Sequence, residues 1–449
     1  MAVTREVAVL TEPDIRIADS SDADDAVTTA RQAFESWRRT PAAERGAALR
    51  AAAAALRAAT DELAEIHERD TGRSAAEAAE SIGAGVSTLE QYAELGPVHR
   101  GRTLHGGWSA TDLMVPEPRG VVVALTPWND PVAVACGLIG AALVTGNTVV
   151  HKPSERCPRV GLRLGELLGQ AFPDGVLTTV SGGAETGARL AANPDVDVVA
   201  HVGGVETGRS IALATARTGA KALLENGGND PLLVDGDVDP VWAAEQAALG
   251  AFANAGQICV SVERIYVHRR VAAEFQEALV AQAREWTGRI PPLVDRAHRD
   301  KVHAHVHEAI EAGAEPLVGG LVPDGPGSRY PATVLTACTP EMTVMAEETF
   351  GPVAPVMVVD DFAEGLAAAA SGRYGLAATV LTADMAHAQE AYRVLPVGTV
   401  KVNAVFGGAP GGAAQPRGMS GSGYGYGPEL LDELTTTKVV HLGTPGGRG

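Results

Sequence analysis

Val121-Val-Val-Ala-Leu is an unbroken run of five apolar residues. A strand with one face in water alternates polar and apolar side chains, so a continuous run belongs in a sheet covered on both faces. A helical pattern follows over 132–145, then a second strand run, Thr148-Val-Val-His, and a second helix over 160–168. Strands at 176–180 and 196–202 and a helix at 210–218 continue the series. This alternation predicts a parallel sheet with helices packed on both sides. A second region of the same kind opens near Asn226. It has helices near 241–252, 272–285 and 300–312 and strands near 264–267, 353–359 and 377–381.

The flanks differ. Residues 22–92 are rich in Ala, Leu, Glu and Arg with apolar residues at three- and four-residue spacing, and Pro41 suits a helix start. Proline and glycine punctuate 97–118, which predicts an exposed hairpin, and Thr437-Lys-Val-Val-His ends the chain in strand-like fashion. The 449 residues suffice for two or three domains.

Acidic residues outnumber basic ones by 55 to 36, a net charge of −19. Such a surface repels phosphate backbones and anionic lipid, so neither nucleic acid nor membrane is an expected partner. The longest apolar run, 132–144, is too short for a bilayer span of about 20 residues. The opening Met1-Ala-Val-Thr-Arg-Glu lacks a signal-peptide core, and a cytoplasmic location is expected. The four cysteines form no CxxC pair and no zinc-ligand spacing, so no metal is expected and a reducing compartment fits. Cys136, in an apolar helix, reads as core, and Cys157 and Cys338 as packing or surface residues. His298, His303, His305 and His307 read as the solvated face of a polar helix.

Several short segments carry groups suited to chemistry. Cys259 follows Asn254-Ala-Gly-Gln-Ile, a turn between a helix and a strand, where backbone N–H groups can stabilise a thiolate. A lone cysteine is nevertheless more often a packing residue. Glu225 ends an apolar strand and precedes Asn226-Gly-Gly, the end at which α/β sheets place functional groups; a turn carboxylate is an equal reading. Asn129, in Thr126-Pro-Trp-Asn-Asp-Pro, offers a stiffened amide donor of the kind an oxyanion requires, although Asn-Asp-Pro is also a common turn. The loop 203–208 can bring N–H groups to a phosphate at a helix N-terminus, and Lys152-Pro-Ser-Glu155 sits at a strand's end.

Taken in order, these motifs resemble the aldehyde dehydrogenase superfamily. Pro-Trp-Asn at 127–129, Lys-Pro-Ser-Glu at 152–155 and the 203–208 loop come first. Glu-Asn-Gly-Gly at 225–228, Gly-Gln-Ile-Cys at 256–259, Glu-Glu-Thr-Phe-Gly-Pro-Val at 347–353 and Met-Ser-Gly-Ser-Gly at 419–423 follow. Glu225 and Cys259 stand 34 residues apart, as in the family. The resemblance implies two Rossmann-like parallel-sheet α/β domains with a small β element bridging subunits. The expected limits are 1–98 with 119–225 for NAD binding, 226–427 for catalysis, and 99–118 with 428–449 for a homodimer or homotetramer bridge.

The resemblance also implies an NAD(P)-dependent oxidation of an aldehyde to an acid. Cys259 would be the nucleophile, Asn129 the oxyanion donor and Glu225 the base that hydrolyses a thioester. The alternatives are acyl transfer to coenzyme A, which the glutamate at 225 disfavours, and a silent structural or ligand-binding relative. Lys152 and Glu155 would meet the adenosine ribose. Trp128, Gly183, Gly187, Gly203 and Gly208 would line the adenine and pyrophosphate path. Glu348 would meet the nicotinamide ribose with Phe350 close to it, and Pro127, Asn129, Ser154, Gly204 and Gly227 would be further cofactor contacts. Glu155 favours NAD over NADP, while Lys152 can accommodate a 2′-phosphate. His298 and Lys301 would approach the adenosine. Asp130, Val134, Gly137, Ala253, Ile258, Val260 and Phe406 map to the substrate tunnel. Asp130, Gly137 and Ala253 stand where relatives often carry rings, so a bulky aromatic or extended aliphatic aldehyde is expected, and Arg417 is the one candidate carboxylate clamp.

Overall fold

The computed structural model describes residues 17–324, 327–408 and 412–444; parts of the expected domains (1–16, 445–449) and of the 407–418 loop (409–411) lie outside the described residues. In chain order the strands are β1 (Arg102–Leu104), β2 (Thr111–Pro118), β3 (Val121–Leu125), β4 (Thr148–Lys152), β5 (Leu177–Thr179), β6 (Val198–Val202) and β7 (Lys221–Glu225). They continue with β8 (Asp230–Val234), β9 (Val262–His268), β10 (Glu315–Val318), β11 (Thr333–Thr336), β12 (Val353–Val359), β13 (Ala377–Leu381), β14 (Thr399–Val402), β15 (Gly421–Ser422) and β16 (Thr435–Leu442).

Three sheets result. The first runs β15-β7-β6-β3-β4-β5 and the second β10-β11-β12-β9-β8-β13-β14. The third is the antiparallel sheet β1-β2-β16. Every residue of β3, β4, β8 and β13 is buried, because helices cover both faces of the two large sheets. In the first sheet β3 to β7 are parallel and only the edge strand β15 is reversed. In the second the one antiparallel pair is β10 with β11.

The helical N-terminal region forms four helices, Ser20–Trp37, Ala42–Ala58, Thr60–Thr71 and Ala75–Val98. Asp19 starts the first with a reciprocal capping box to Asp22, and Pro41 precedes the second. The alanine-rich second helix buries Leu49, Ala52, Ala53 and Leu56. Among the described residues no helix is long and apolar enough to cross a membrane.

The expected division at 427/428 does not follow the packing. Gly421 pairs with Glu225 as β15 extends the first sheet, and Leu430, Leu431 and Leu434 are buried in the core that holds Leu138 and Leu223. Residues 421–434 therefore pack with the first sheet, and only β16 joins the hairpin β1-β2. Gly421 makes this return possible: its φ is +121° and a Cβ there would lie 1.8 Å from the Leu224 carbonyl oxygen.

Candidate active site

The candidate residues gather where the C-terminal edge of the first sheet faces the N-terminal edge of the second. Asn129 follows β3, Lys152 ends β4 and Glu225 ends β7, while Cys259 stands three residues before β9. The placement rule for α/β sheets thus describes the first sheet, and the nucleophile candidate comes from the opposite edge of the second.

The helix Pro240–Phe252 stops at a turn with Asn254 at φ 50°, Ala255 at φ 55° and Gly256 at φ 70°. Two non-glycine residues in the left-handed region cost about 1–3 kcal/mol each and persist only where surroundings enforce them. Gln257, almost fully buried, supplies the enforcement. Its side-chain amide donates to Asn254 O at 3.0 Å, its carboxamide oxygen accepts from Val294 N at 2.9 Å, and its backbone oxygen accepts from the amides of Asn129 (3.1 Å) and Asn254 (3.2 Å). Gly256 is obligatory here, since a Cβ would meet Gly351 O at 2.1 Å. The Asn129 amide spends one N–H on Gln257 and keeps a second.

Cys136, Cys157 and Cys338 are buried; Cys259 alone of the four cysteines is partly exposed. Its thiol is pushed up to about 12, first by burial of the sulfur and then by the negative fields of Asp230, Glu225, Glu348 and Asp130. The resting sulfur is therefore a neutral thiol. This departs from the expectation that backbone N–H groups would stabilise a thiolate: burial of the sulfur, and after it the surrounding carboxylates, favour the neutral form. Glu225 is raised to about 7 by burial, partly offset by the Gly425 N–H donated to its Oε1 at 3.0 Å. Near neutral pH it populates both protonation states, as a general base must.

Glu348 is likewise raised to about 7 by burial, and its Oε1 accepts Gly228 N at 3.0 Å. A Cβ at Gly227 would lie 2.1 Å from Glu348 Oε2, so that glycine admits the carboxyl. Phe350 packs edge-on against Trp128 with ring centroids 5.6 Å apart, and His298 touches both rings. Trp128 thus packs with the Glu348 turn. His298 and Lys301 meet the same turn: His298 Nε2 donates to Phe350 O at 2.7 Å and Lys301 Nζ to Glu348 O at 3.0 Å. The polar-helix reading fails for His298, which is buried and held neutral near 4 by desolvation. His303 and His305 are half-buried against Tyr330 and Thr349, so of the four only His307 has the exposed setting expected.

The other end of the cleft has the features of a dinucleotide crevice. Gly183 and Gly204 open the helices Ala184–Ala191 and Val205–Thr218 without a side-chain cap, and a Cβ at either would meet nothing within 4 Å. Two uncapped helix N-termini beside open space suit a pyrophosphate. Lys152 Nζ is tied to Pro153 O (2.9 Å) and Gly182 O (2.7 Å), 3.7 Å from the Glu155 carboxylate. Gly187 lies against the Lys152 stem. Gly203 and Gly208 permit close packing, since a Cβ would strike His201 at 2.7 Å and Asn226 at 2.2 Å. Ser154 caps the turn to Arg156, and Pro127 is buried.

Of the tunnel candidates, Ile258 and Val260 flank Cys259 half-buried, and Ala253 and Val134 are also half-buried. Gly137 is buried, yet a Cβ there would have no neighbour within 4 Å, which marks open room beside it. Asp130 accepts a short hydrogen bond from Ser81 Oγ. Phe406 lies under the Lys401 ammonium, 5.7 Å from ring centroid to Nζ. Arg417 is exposed, and its backbone N–H donates to Gly375 O.

The sequence matches the aldehyde dehydrogenase family over residues 11–440. The chain belongs to the aldehyde dehydrogenase family. It is similar to an NAD-dependent aldehyde dehydrogenase from Sinorhizobium meliloti, with 33% identity, TM-score 0.92, and coverage of 96% of this chain and 89% of that one. It is also similar to a betaine aldehyde dehydrogenase from Staphylococcus aureus solved with NAD+, with 30% identity, TM-score 0.94, and coverage of 99% and 92%.

Within this family member, three buried groups at the site escaped sequence reasoning. Gln257 pins the nucleophile turn. Asp230 accepts Ala377 N at 3.0 Å and is raised by burial, opposed by Lys401. Glu263 binds the Glu348 turn. Glu263-Arg264 is a charged pair inside a mostly apolar strand, four and five residues after Cys259, and that irregularity was the available signal.

Proposed function

We propose that this chain oxidises an aldehyde to its carboxylic acid with NAD, through a covalent intermediate on Cys259. One juxtaposition carries the reading: the partly exposed cysteine lies in the field of Glu225, a half-buried carboxyl raised to about 7. The resting thiol needs a base, and ionised Glu225 takes its proton, directly or through water. The sulfur adds to the carbonyl carbon, and the second Asn129 N–H and the Cys259 N–H meet the oxyanion. NAD, when bound, supplies the two-electron acceptor for the hydride leaving that carbon, and a thioester remains on the sulfur. Glu225, having released its first proton to solvent, removes one from water as the water oxygen attacks the thioester. The C–S bond breaks, the sulfur is reprotonated and the acid departs.

Lys152, Ser154, Glu155, Gly183, Gly187, Gly203, Gly204 and Gly208 would hold the adenosine and pyrophosphate. Pro127, Trp128, Asn129, Gly227, Glu348 and Phe350 would frame the nicotinamide ribose. The first sheet with its helices is the cofactor unit, the second sheet the catalytic unit, and β1-β2-β16 the bridge of a dimer or tetramer. The open room at Gly137 favours a bulky aromatic or extended aliphatic aldehyde. The carboxylates around Cys259 disfavour one that carries its own negative charge.

NADH formation across an aldehyde panel, with product identification, tests the reading. It predicts free acid, with or without coenzyme A present, and a higher kcat/KM for an aromatic aldehyde than for acetaldehyde. An acyl-coenzyme A product refutes hydrolysis, and a preference for acetaldehyde refutes the tunnel argument.

A further inference from the structure

The turn from Glu348 to Gly351 has its backbone groups met from several sides. Thr349 N–H donates to Glu263 Oε2 at 3.0 Å and Phe350 N–H to Glu263 Oε1 at 2.9 Å. Phe350 O accepts from His298 and Glu348 O from Lys301. Phe350 itself sits at φ 57°, a conformation a phenylalanine keeps only when its surroundings impose it. Glu263 is 4% exposed and forms no ion pair among the described residues. Burial and the nearby Glu348 push its carboxyl up, opposed by the Thr349 and Phe350 N–H groups and by Lys301; such burial is costly, and the rest of β9 is mostly apolar and would pack as well around a hydrocarbon side chain. What a carboxyl adds here is two acceptor oxygens at the spacing of two successive N–H groups.

We propose that Glu263 is a positioning residue for hydride transfer: its carboxyl clamps the Thr349 and Phe350 N–H groups, fixing Glu348 and Phe350 relative to β9, the strand that begins three residues after Cys259. The inference rests on the reading above, in which Glu348 and Phe350 frame the nicotinamide ribose. Only Val260, Ser261 and Val262 separate the sulfur-bearing residue from the clamp. The start of β9 therefore anchors the turn that holds the nucleophile and, through Glu263, the cofactor turn. Releasing one N–H lets the turn leave its strained conformation. The adenosine end, braced by other elements, stays in place.

The test uses the full chain carrying Glu263→Gln. The amide oxygen still accepts one N–H, while the NH2 opposes the other. In rapid mixing of enzyme, NAD and aldehyde, the first-turnover rate of NADH formation should fall about 10- to 100-fold, the scale of a misplacement near 1 Å. The burst amplitude per total enzyme should be retained. Calorimetry should show weaker NAD binding and unchanged AMP binding. A purely structural role would lower the amplitude at an unchanged rate, and that result overturns the proposal, as does a variant matching wild type in all three measurements. Should the variant fail to fold, the exposed Lys301→Met, which frees Glu348 O, carries the test: it should slow the first turnover in the same sense by a smaller factor, and an unchanged rate overturns the clamp. A wild-type chain inactive with every aldehyde would instead overturn the functional reading, and the NAD-against-AMP comparison would still judge the clamp.

Discussion

Glu225→Gln separates the two halves of the proposed cycle. The carboxyl is raised from 4.5 to about 7, so about half is ionised at pH 7 and about a tenth at pH 6. Thioester hydrolysis should therefore rise with pH through about 7, and the glutamine variant should lose that limb. General-base assistance is worth about 10²- to 10⁴-fold, so steady-state turnover should fall by that range. Acylation should persist at a reduced rate, and the acyl group should accumulate on the protein, visible as an added mass by intact mass spectrometry. The same shift makes a stability statement. A folded-state value above the unfolded one favours the fold fully below about 4.5, and the contribution is lost as pH rises through about 7. The shift corresponds to about 3 kcal/mol as an upper bound at 1.36 kcal/mol per unit. Denaturation of wild type should thus show a loss of stability between those values that the variant lacks. Unchanged turnover with no acyl-enzyme would refute the assignment of Glu225 as the base.

Three further outcomes follow from particular contacts. Alkylation of the native chain with iodoacetamide should mark Cys259 and spare Cys136, Cys157 and Cys338, read by peptide mapping; equal labelling of a buried cysteine contradicts the exposure pattern. Gly256→Ala should destabilise by more than about 1 kcal/mol, since it combines a φ of 70° with a Cβ 2.1 Å from Gly351 O, and an unchanged Tm would show that the turn relaxes freely. An aldehyde bearing a carboxylate should have a lower kcat/KM than its neutral isostere, and Asp130→Asn should narrow the gap; a preference for the anion contradicts the local field.

Much of the architecture was legible because its strands are continuous apolar runs: the strand over 353–359 and the one over 377–381 lie where the hydrophobic pattern puts them. The return of 421–434 to the first sheet was not legible, since a two-residue strand and a five-residue helix carry no period, and what places them is burial of Leu430, Leu431 and Leu434. At the site, Cys259, Glu225 and Asn129 stood out through their turn and glycine settings. His298 was misread because a helix of polar composition hides which face packs; only the Trp128 and Phe350 rings reveal that it points inward. The neutrality of the thiol was equally hidden, because it depends first on burial of the sulfur and then on carboxylates from several separate segments converging on it.

The central claim is that chemistry passes through the Cys259 sulfur. Replacing it in Cys259→Ala, confirming NAD binding by calorimetry, and measuring NADH formation from the best aldehyde of the panel tests this most directly. The mechanism predicts retained NAD affinity with turnover reduced by roughly 10⁴-fold or more, the scale of losing a covalent nucleophile. Aldehyde oxidation within tenfold of wild type would contradict it.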